Sequence, residues 1–247
     1  MIMVIKFLKI LSFLIFIGVS LLAEEKPLKK FSTDTIKTKE GEVKITFVGH
    51  ASLFFEFNKK VIHIDPTLKE ADYTKLPKGD LILITHEHWD HFDPEAIKAI
   101  RTKETVLILT ERCQEKIKDG TVMKNGDIDT LNGFPIEVLP AYNIINKREN
   151  GEPFHPKGIG NGYVITFGDK KIYVAGDTEN TPEMKALKDI YAAILPMNLP
   201  YTMSPQMVAD AVKSFKPKVL YLYHRDDKFI PEISNLLKDE KIDLRIK

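Results

Sequence analysis

Cysteine is almost absent from this chain of 247 residues, in which Cys113 is the only one. A chain with one cysteine has no internal disulfide, so its fold must depend on a hydrophobic core. Hydrophobic residues make up 43% of the sequence, which is sufficient for such a core in one large domain or two small ones. Cys113 falls in a predicted helix, where we expect it to pack rather than to take part in chemistry.

Net charge is also nearly absent, because 36 lysines and arginines face 35 aspartates and glutamates. A protein that binds nucleic acid or an anionic membrane through electrostatics normally carries a basic excess, and this chain has none. We therefore expect no nucleic-acid partner. The sequence also has no repeat of fixed period and no low-complexity segment.

An apolar run long enough to span a membrane is lacking as well. Residues 10–22 form a 13-residue apolar run that follows Lys6 and Lys9 and precedes Ala23, a layout typical of a secretory signal peptide. A spanning helix needs roughly 20 apolar residues, so an uncleaved anchor is the less favoured alternative. No cysteine follows the run, which argues against a lipoprotein. We predict a signal peptide over residues 1–23 and a periplasmic or secreted protein without a stable membrane anchor after cleavage.

Regular structure is predicted only after a polar N-terminal segment. Residues 24–41 are polar and rich in lysine, and indicate a tail. Residues 42–247 carry short apolar runs that alternate with helical patterns, and predict a single α/β domain. The predicted strands lie at residues 43–48, 53–57, 61–64, 81–84, 106–109, 128–131, 135–139, 163–167, 171–175, 192–195 and 219–223. Three helices are predicted to start at a capping residue followed by proline, namely at Asp93, Thr181 and Ser204.

The densest group of metal-binding residue types follows the apolar run at residues 81–84. It contains His86, His88, Asp90 and His91, and so three of the seven histidines of the chain. In an extended chain the first three of these point to one side, and the turn into the next helix carries His91 round to join them. Mixed nitrogen and oxygen donors of this kind bind Zn²⁺, whereas the alternative is a polar surface loop.

Other predicted strands also end on residues that suit a metal site. These residues are His50, Asp65, Asp177 and His224. Ligands in sheet proteins gather at the carboxyl ends of strands, so we expect these side chains at one edge of the sheet. Alone, Asp177 would suit a turn and His224 a hydrogen-bonded core position, but together with the histidine motif both are predicted ligands. His63 is predicted to be structural.

The segment from 141 to 162 has no period and is rich in glycine, asparagine and proline. A loop of this length inside a compact domain is usually functional or disordered. It contains His155, which we predict to be a ligand, the alternative being a residue of a flexible loop.

At this point the residues resemble the metallo-β-lactamase superfamily. The segment 86–91 matches its HxHxDH signature, Gly176-Asp177-Thr178 matches its bridging-aspartate turn, and His224 matches its closing histidine. The resemblance spans about residues 43–225. It implies a four-layer αββα sandwich of two mixed β-sheets flanked by helices, with two metal ions at one edge.

Further segments are similar to the broad hydrolase group of this superfamily that includes L-ascorbate-6-phosphate lactonase and N-acylphosphatidylethanolamine phospholipase D. These segments are Gly49-His50-Ala51, Ile64-Asp65-Pro66, the stretch from Pro140 to Asn143, the stretch from His155 to Gly158, and the stretch from Tyr201 to Met203. The similarity implies a small-molecule or lipid-like substrate, and gives no prediction of oligomeric state.

The same resemblance implies a role for each site residue. It places His86 and His88 on the first metal, Asp90, His91 and His224 on the second, and Asp177 between the two. Many relatives have a histidine where this chain has Asn143, so the third ligand of the first metal is Asn143 or His155. Imidazole nitrogen is a better donor to zinc than an amide oxygen, which favours His155.

The predicted function is that of a metal-dependent hydrolase in which two divalent ions, zinc or else manganese or iron, activate water for attack on an ester, lactone or phosphodiester. Asp90 is predicted to orient the water and to receive its proton, and Asp65 to hold a ligand histidine by its second nitrogen. His50 and Tyr201 are predicted to line the substrate pocket. One alternative is a β-lactamase, which nitrocefin turnover would indicate. The other is a non-catalytic metal-binding protein of the cell envelope, which tight metal binding without hydrolysis would indicate.

Overall fold

Residues 30–247 are described by the computed structural model, and the predicted signal peptide lies outside them. The first sheet consists of β1 (Ser32–Thr38), β2 (Gly41–Gly49), β3 (Ser52–Phe57), β4 (Lys60–Ile64), β5 (Leu81–Leu83), β6 (Val106–Leu109) and β7 (Thr121–Val122). The second sheet consists of β8 (Ile128–Leu131), β9 (Phe134–Ala141), β10 (Gly160–Phe167), β11 (Lys170–Val174), β12 (Ile190–Met197), β13 (Val219–Arg225) and β14 (Asp243–Ile246). The helices are α1 (Pro94–Ile100), α2 (Glu111–Ile117), α3 (Pro182–Lys185), α4 (Pro205–Phe215) and α5 (Ile230–Leu236), with 3₁₀ turns at Tyr73–Lys75 and Asp227–Phe229. Over this part of the chain, no helix combines the length and the apolar character that a bilayer-spanning segment requires.

The two sheets share one topology. In the first, the strands lie in the order β1 to β7, and in the second in the order β14 to β8. Each sheet begins with four antiparallel strands, β1–β4 and β8–β11. Three further strands then join in parallel, β5–β7 in the first sheet and β12–β14 in the second. Both sheets are therefore mixed, as predicted.

Three hydrophobic clusters divide the domain into four layers. The central cluster lies between the two sheets and includes Phe55 and Phe167, whose ring centroids are 5.2 Å apart. A second cluster packs α3, α4 and α5 against the second sheet, and a third packs α1 and α2 against the first. This arrangement confirms the predicted αββα sandwich, since each sheet buries one face against the other sheet and one face under helices.

The predicted helix starts are confirmed. The side chain of Asp93 accepts hydrogen bonds from Glu95 N and Ala96 N, and so caps α1. The hydroxyls of Thr181 and Ser204 do the same for α3 and α4. In all three helices, proline occupies the first position, where it has no amide hydrogen to leave unsatisfied.

The predicted tail at residues 24–41 is wrong in part, because Ser32–Thr38 forms β1. This strand pairs antiparallel with β2 from Ser32 opposite Phe47 to Thr38 opposite Gly41. Its only fully buried apolar residue is Ile36, so the alternation of apolar and polar residues that signals a strand is nearly absent. Backbone hydrogen bonds to β2 stabilise this edge strand where the side-chain pattern does not predict it.

Several strands end in left-handed backbone conformations at one edge of the two sheets. His50, Asp65 and His224 have φ angles of 45°, 45° and 39°, which are uncommon for residues with a side chain. Gly176 has a φ of 66°, and a Cβ at this position would lie 2.7 Å from Asn161 O, so glycine is required there. The amide of His224 donates to His50 O at 2.8 Å and ties the two sheets together at this edge. Backbone conformations of this kind concentrate at functional sites.

Candidate metal centre

The predicted ligands meet at the edge where these strands end. The His86 to His91 motif follows β5, His50 follows β2, His155 lies in the loop between β9 and β10, Asp177 follows β11, and His224 lies near the end of β13. Their donor atoms form three overlapping groups, in each of which the atoms lie within 4.8 Å of one another. The groups are His86, His88 and His155; His86, His91 and Asp177; and His50, Asp90, His91 and His224.

Asp177 is buried at the centre of the cluster. Its Oδ1 lies 3.3 Å from His91 Nε2, and its Oδ2 lies 3.3 Å from His155 Nε2, 3.3 Å from His224 Nε2 and 4.0 Å from His86 Nε2. Burial alone would raise the pKa of this carboxyl, but His224 and His91 outweigh that effect and hold the pKa well below its usual range. The carboxylate is therefore ionised, and it contacts histidines from both halves of the cluster.

The hydrogen bonds of His155 determine where its lone pair points. Its Nδ1 lies 2.8 Å from Asn143 Oδ1, an atom that only accepts, so Nδ1 donates to it and Nε2 is the nitrogen left to face the cluster. This Nε2 lies 3.2 Å from His88 Nδ1, which in turn lies 3.0 Å from His86 Nε2. Three ring nitrogens thus face one another, and they need a proton or a cation between them.

A proton is disfavoured at this position. Burial and then the neighbouring histidine charges lower the pKa of His86 well below its usual value, and burial also lowers the pKa of His88. Neutral imidazoles with converging nitrogens are the usual ligands of a divalent metal ion. The three residues therefore fit a metal ion better than they fit a hydrogen-bonded cluster.

His91 is held by a buried carboxylate, as predicted for Asp65. Asp65 Oδ2 lies 2.8 Å from His91 Nδ1 and accepts a hydrogen bond from Thr85 Oγ1 at 2.6 Å. Because Nδ1 donates to this carboxylate, Nε2 is the ring nitrogen that faces Asp177, where it can hold either a proton or a metal ion. Burial lowers the pKa of His91, but Asp177 and Asp65 together raise it well above its usual value, so the site favours positive charge there.

Two of the facing atoms have no hydrogen-bond partner within residues 30–247. They are His91 Nε2 and Asp177 Oδ1, which are both fully buried and face each other at 3.3 Å without the alignment of a hydrogen bond. Leaving such a group unsatisfied costs about 1–3 kcal/mol, so a fold that retains two at one point needs a compensating ligand. A divalent cation between these two atoms would be such a ligand. The pair is therefore a second observation, after the three converging histidines, that agrees with a bound metal ion.

Asp90 is bordered by the remaining two histidines. Its Oδ2 lies 3.1 Å from His50 Nε2 and 3.7 Å from His224 Nε2. Burial opposes ionisation, but the nearby rings of His224 and His50 hold the pKa of Asp90 well below its usual range. The rings of His50 and His224 lie against each other, with centroids 3.9 Å apart. His50 thus belongs to the donor cluster, whereas the sequence predicts it only as a residue that lines the substrate pocket.

Asn143 supports His155 and does not face the cluster. Its Oδ1 accepts hydrogen bonds from both the backbone amide and the ring Nδ1 of His155, each at 2.8 Å. Of the two alternatives for the third ligand, the geometry therefore places His155 among the donors and Asn143 behind it. Tyr201 is half-exposed and lines the adjoining cavity.

Glu179 supports the same loop, and sequence reasoning missed it. This fully buried carboxylate accepts hydrogen bonds from the backbone amides of Ile144, Ile145 and Asn146, each at 2.7 Å, and from Asn143 Nδ2 at 3.2 Å. Its position two residues after Asp177 was the only signal available, because its partners are amides of a remote loop and leave no pattern of residue types.

Two other singled-out residues lie apart from the cluster. His63 is buried and bonded through Nε2 to Pro77 O at 2.9 Å, and burial lowers its pKa to about 4. Cys113 is buried on α2, and burial raises the pKa of its thiol to about 11. Both positions agree with the structural roles predicted for them.

A cavity of about 470 Å³ opens over the donor cluster. Its lining includes the donor residues His88, Asp90, Asp177 and His224 and the aromatic residues Trp89 and Tyr201. A volume of this order suits a small-molecule ligand.

Comparison with known proteins places the chain among similar sequences and folds. Residues 44–224 match the family model described as a β-lactamase superfamily domain. A metal-dependent hydrolase of Pelotomaculum thermopropionicum is 30% identical over 192 residues, which cover 74% of this chain and 84% of the relative. A metal-dependent hydrolase of Thermococcus kodakarensis is 31% identical over 195 residues, with the same coverage.

Two solved structures show the same likeness. The crystal structure of a protein from Parabacteroides distasonis, named as a metal-dependent hydrolase, is 48% identical, with a TM-score of 0.84 over 88% of this chain and 99% of that one. A metallo hydrolase of Ignicoccus hospitalis is 24% identical, with a TM-score of 0.65 over 83% of this chain and 94% of that one, and shows the shared fold.

Proposed function

The chain belongs to the metallo-β-lactamase superfamily and to its metal-dependent hydrolases, and from this premise we propose that it is an exported enzyme that uses two divalent ions, zinc by preference, to hydrolyse an ester, lactone or phosphodiester. The observation that carries this proposal is the convergence of buried metal-binding atoms that lack hydrogen-bond partners in residues 30–247. The clearest examples are His91 Nε2 and Asp177 Oδ1. A fold that needed only stability would pair such atoms or replace them by apolar groups.

The proposed ligands form two sets that share Asp177. The first ion would be held by His86, His88 and His155, and the second by Asp90, His91 and His224, with Asp177 shared. When bound, the metal ions would lower the pKa of a coordinated water so that hydroxide is available at neutral pH, and would stabilise negative charge on the group under attack. Zinc is preferred because five of these seven ligands are imidazoles.

Asp90 is the chain's own group best placed to orient the attacking water. It lines the cavity, and its low pKa keeps it ionised, so that it can accept a hydrogen bond from water over a wide pH range. The same low pKa makes the carboxylate a weak base, which supports the orienting role more than the predicted proton-accepting role. His50, which is bonded to the same carboxylate, fixes its direction.

Export rests on the sequence of the N-terminus. The basic residues Lys6 and Lys9, the short apolar run and Ala23 have the layout of a cleavable signal. Fractionation of cells that express the tagged chain tests this part: release of a shortened protein from the periplasm or medium supports export, and full-length protein in the cytosol contradicts it.

Metal analysis coupled to a hydrolysis screen tests the enzyme itself. The purified protein is assayed for bound zinc and for turnover of 4-nitrophenyl acetate, a homoserine lactone, bis(4-nitrophenyl) phosphate, a phospholipid and nitrocefin. We expect hydrolysis of at least one ester, lactone or phosphodiester. This activity should be lost on chelation and in the Asp177→Asn variant, and it should be kept in the matched surface variant Asp129→Asn. Tight, stoichiometric binding of metal with no turnover of any substrate would favour the non-catalytic metal-binding protein. Turnover of nitrocefin alone would favour the β-lactamase.

A further inference from the structure

We propose that Lys69 and Arg148 form an anion-binding site at the mouth of the cavity, and that the substrate is an organic anion whose acidic group lies between them while its apolar part contacts the neighbouring aromatic rings. This inference rests on the proposed function, because it names the substrate class of the same cavity.

The first observation is that both cations line this cavity without a carboxylate partner. Neither Lys69 nor Arg148 makes an ion pair within 4.0 Å in the described part of the chain, although both are exposed at the cavity over the donor cluster. Arg112, which lines a second cavity beside His86 and His88, is by contrast paired with Glu87 at 2.8 Å. The charges of Lys69 and Arg148 are therefore available to a ligand.

The second observation is that each cation is positioned by an aromatic ring. Lys69 Nζ lies 4.5 Å from the centroid of the Trp89 ring, and Arg148 Cζ lies 5.1 Å from the centroid of the Phe154 ring. An aromatic face attracts a cation and orients it without neutralising it. Arg148 also donates to Phe154 O at 3.2 Å, which fixes one of its nitrogens and leaves the others free.

The backbones that carry these side chains are also fixed. The amide of Leu68, next to Lys69, donates to Asp93 Oδ2 at 2.9 Å. The amide of Arg148 donates to Glu152 O at 2.7 Å, so the loop turns back on itself at this point. Both cations thus project from ordered backbone at the mouth of one cavity, and this reduces the entropy lost when they bind a ligand.

The cavity surface matches an apolar substrate body as well. Trp89 is 70% exposed and Tyr201 is 47% exposed, so both rings offer apolar surface to a ligand in the cavity. Tyr201 lies against Phe154 with ring centroids 5.1 Å apart, so the aromatic surface is continuous on the side of Arg148. Within residues 30–247, the carboxylates that line this cavity are Asp90 and Asp177, which belong to the donor cluster, whereas Glu87 and Glu152 line the second cavity. The charges left to face an anion in this cavity are therefore the two cations, since Asp90 and Asp177 would be ligands of the metal ions.

Ligand binding by charge-neutralised variants tests this inference. Lys69→Met and Arg148→Met remove the charge but keep an apolar stem, and Lys37→Met is the matched control, since exposed Lys37 lies opposite Glu42 at the end of β2 remote from His50. The probes are naphthalene-2-sulfonate, which binds metals weakly, and the neutral naphthalene-2-methanol. Dissociation constants are measured by calorimetry on the purified metal-loaded protein at low and high salt.

We expect each of the two cavity variants to weaken binding of the sulfonate by about 3- to 10-fold, a range that allows for their exposure to solvent. The control variant and the binding of the alcohol should be unchanged, and added salt should weaken only the sulfonate. Equal loss for both probes would indicate a packing role, and no loss for the sulfonate would indicate that the cations are not a site; either result overturns the inference.

The binding experiment is independent of turnover. If the screen finds no hydrolysis while the sulfonate discrimination holds, the proposed function fails and the anion site stands. If hydrolysis is found and the variants leave both the dissociation constants and the KM for bis(4-nitrophenyl) phosphate unchanged, the anion site fails alone.

Discussion

Replacing Glu179 by glutamine should weaken metal binding although this residue contacts no metal ligand directly. Glu179 Oε2 accepts hydrogen bonds from Ile144 N and Ile145 N, and Oε1 accepts them from Asn146 N and Asn143 Nδ2. In glutamine one of these oxygens becomes an amide group that only donates. Whichever way the amide turns, two of the four donors lose their acceptor and face another donor instead.

The magnitude follows from the number of hydrogen bonds lost. A donor left unsatisfied in a buried position costs about 1–3 kcal/mol, so two of them cost about 2–6 kcal/mol. The lower half of this range is the better expectation, since Ile144 and Ile145 are half-exposed and their amides can regain water as the loop moves. Loop movement displaces Asn143, the acceptor that orients His155, and loss of such a supporting contact weakens metal binding by about 10- to 100-fold.

Competitive zinc titration of the purified Glu179→Gln variant measures this effect. We expect one zinc ion to bind about 10-fold or more weakly while the other binds as in the wild type, because only the site containing His155 is disturbed. Glu183→Gln is the matched control: Glu183 bonds to Tyr142 and Lys157 at the surface of the same region and touches neither Asn143 nor His155. Wild-type affinity for both ions in Glu179→Gln would refute the reasoning.

Three further predictions concern stability and reactivity. His63 is buried and its pKa is lowered to about 4, so the imidazole takes up a proton in the unfolded state before it does so in the folded state as the pH falls. The free energy of unfolding should therefore drop by about 3 kcal/mol between pH 6.5 and about 4. Denaturant titrations of the metal-free protein measure this drop, and His63→Gln should remove this part of it. Cys113 should react with a thiol reagent only after unfolding, since it is buried and its pKa is raised to about 11; fast labelling of the native protein would contradict its position on α2. Gly176→Ala should destabilise the fold by about 1–3 kcal/mol, because its Cβ would lie 2.7 Å from Asn161 O in a left-handed backbone; an unchanged melting temperature would show that the turn can relax.

The sequence predicted those features that depend on local patterns of residue type. Apolar runs such as 81–84 marked the buried strands, and capping residues such as Asp93 marked the helix starts, because backbone and side chain act there within a few positions. The histidine motif identified the site for the same reason. His155 was separated from Asn143 by donor chemistry, and the hydrogen bonds between the two residues agree with that choice.

The features that the sequence missed depend on contacts between distant segments. β1 was assigned to a tail since its pairing with β2 uses backbone atoms and only Ile36 is fully buried. No sequence pattern identifies Glu179, because its carboxylate oxygens accept hydrogen bonds from backbone amides more than 30 positions away. The contact of Lys69 with Trp89 joins two loops that only the folded sheet brings together.

Anomalous X-ray diffraction from crystals grown with zinc tests the central claim most directly. We expect two zinc peaks at the edge of the sheets with Asp177 between them. The first peak should contact His86, His88 and His155, and the second should contact Asp90, His91 and His224. Crystals that contain zinc but show no peak against these residues would contradict the account, whatever activity the protein displays.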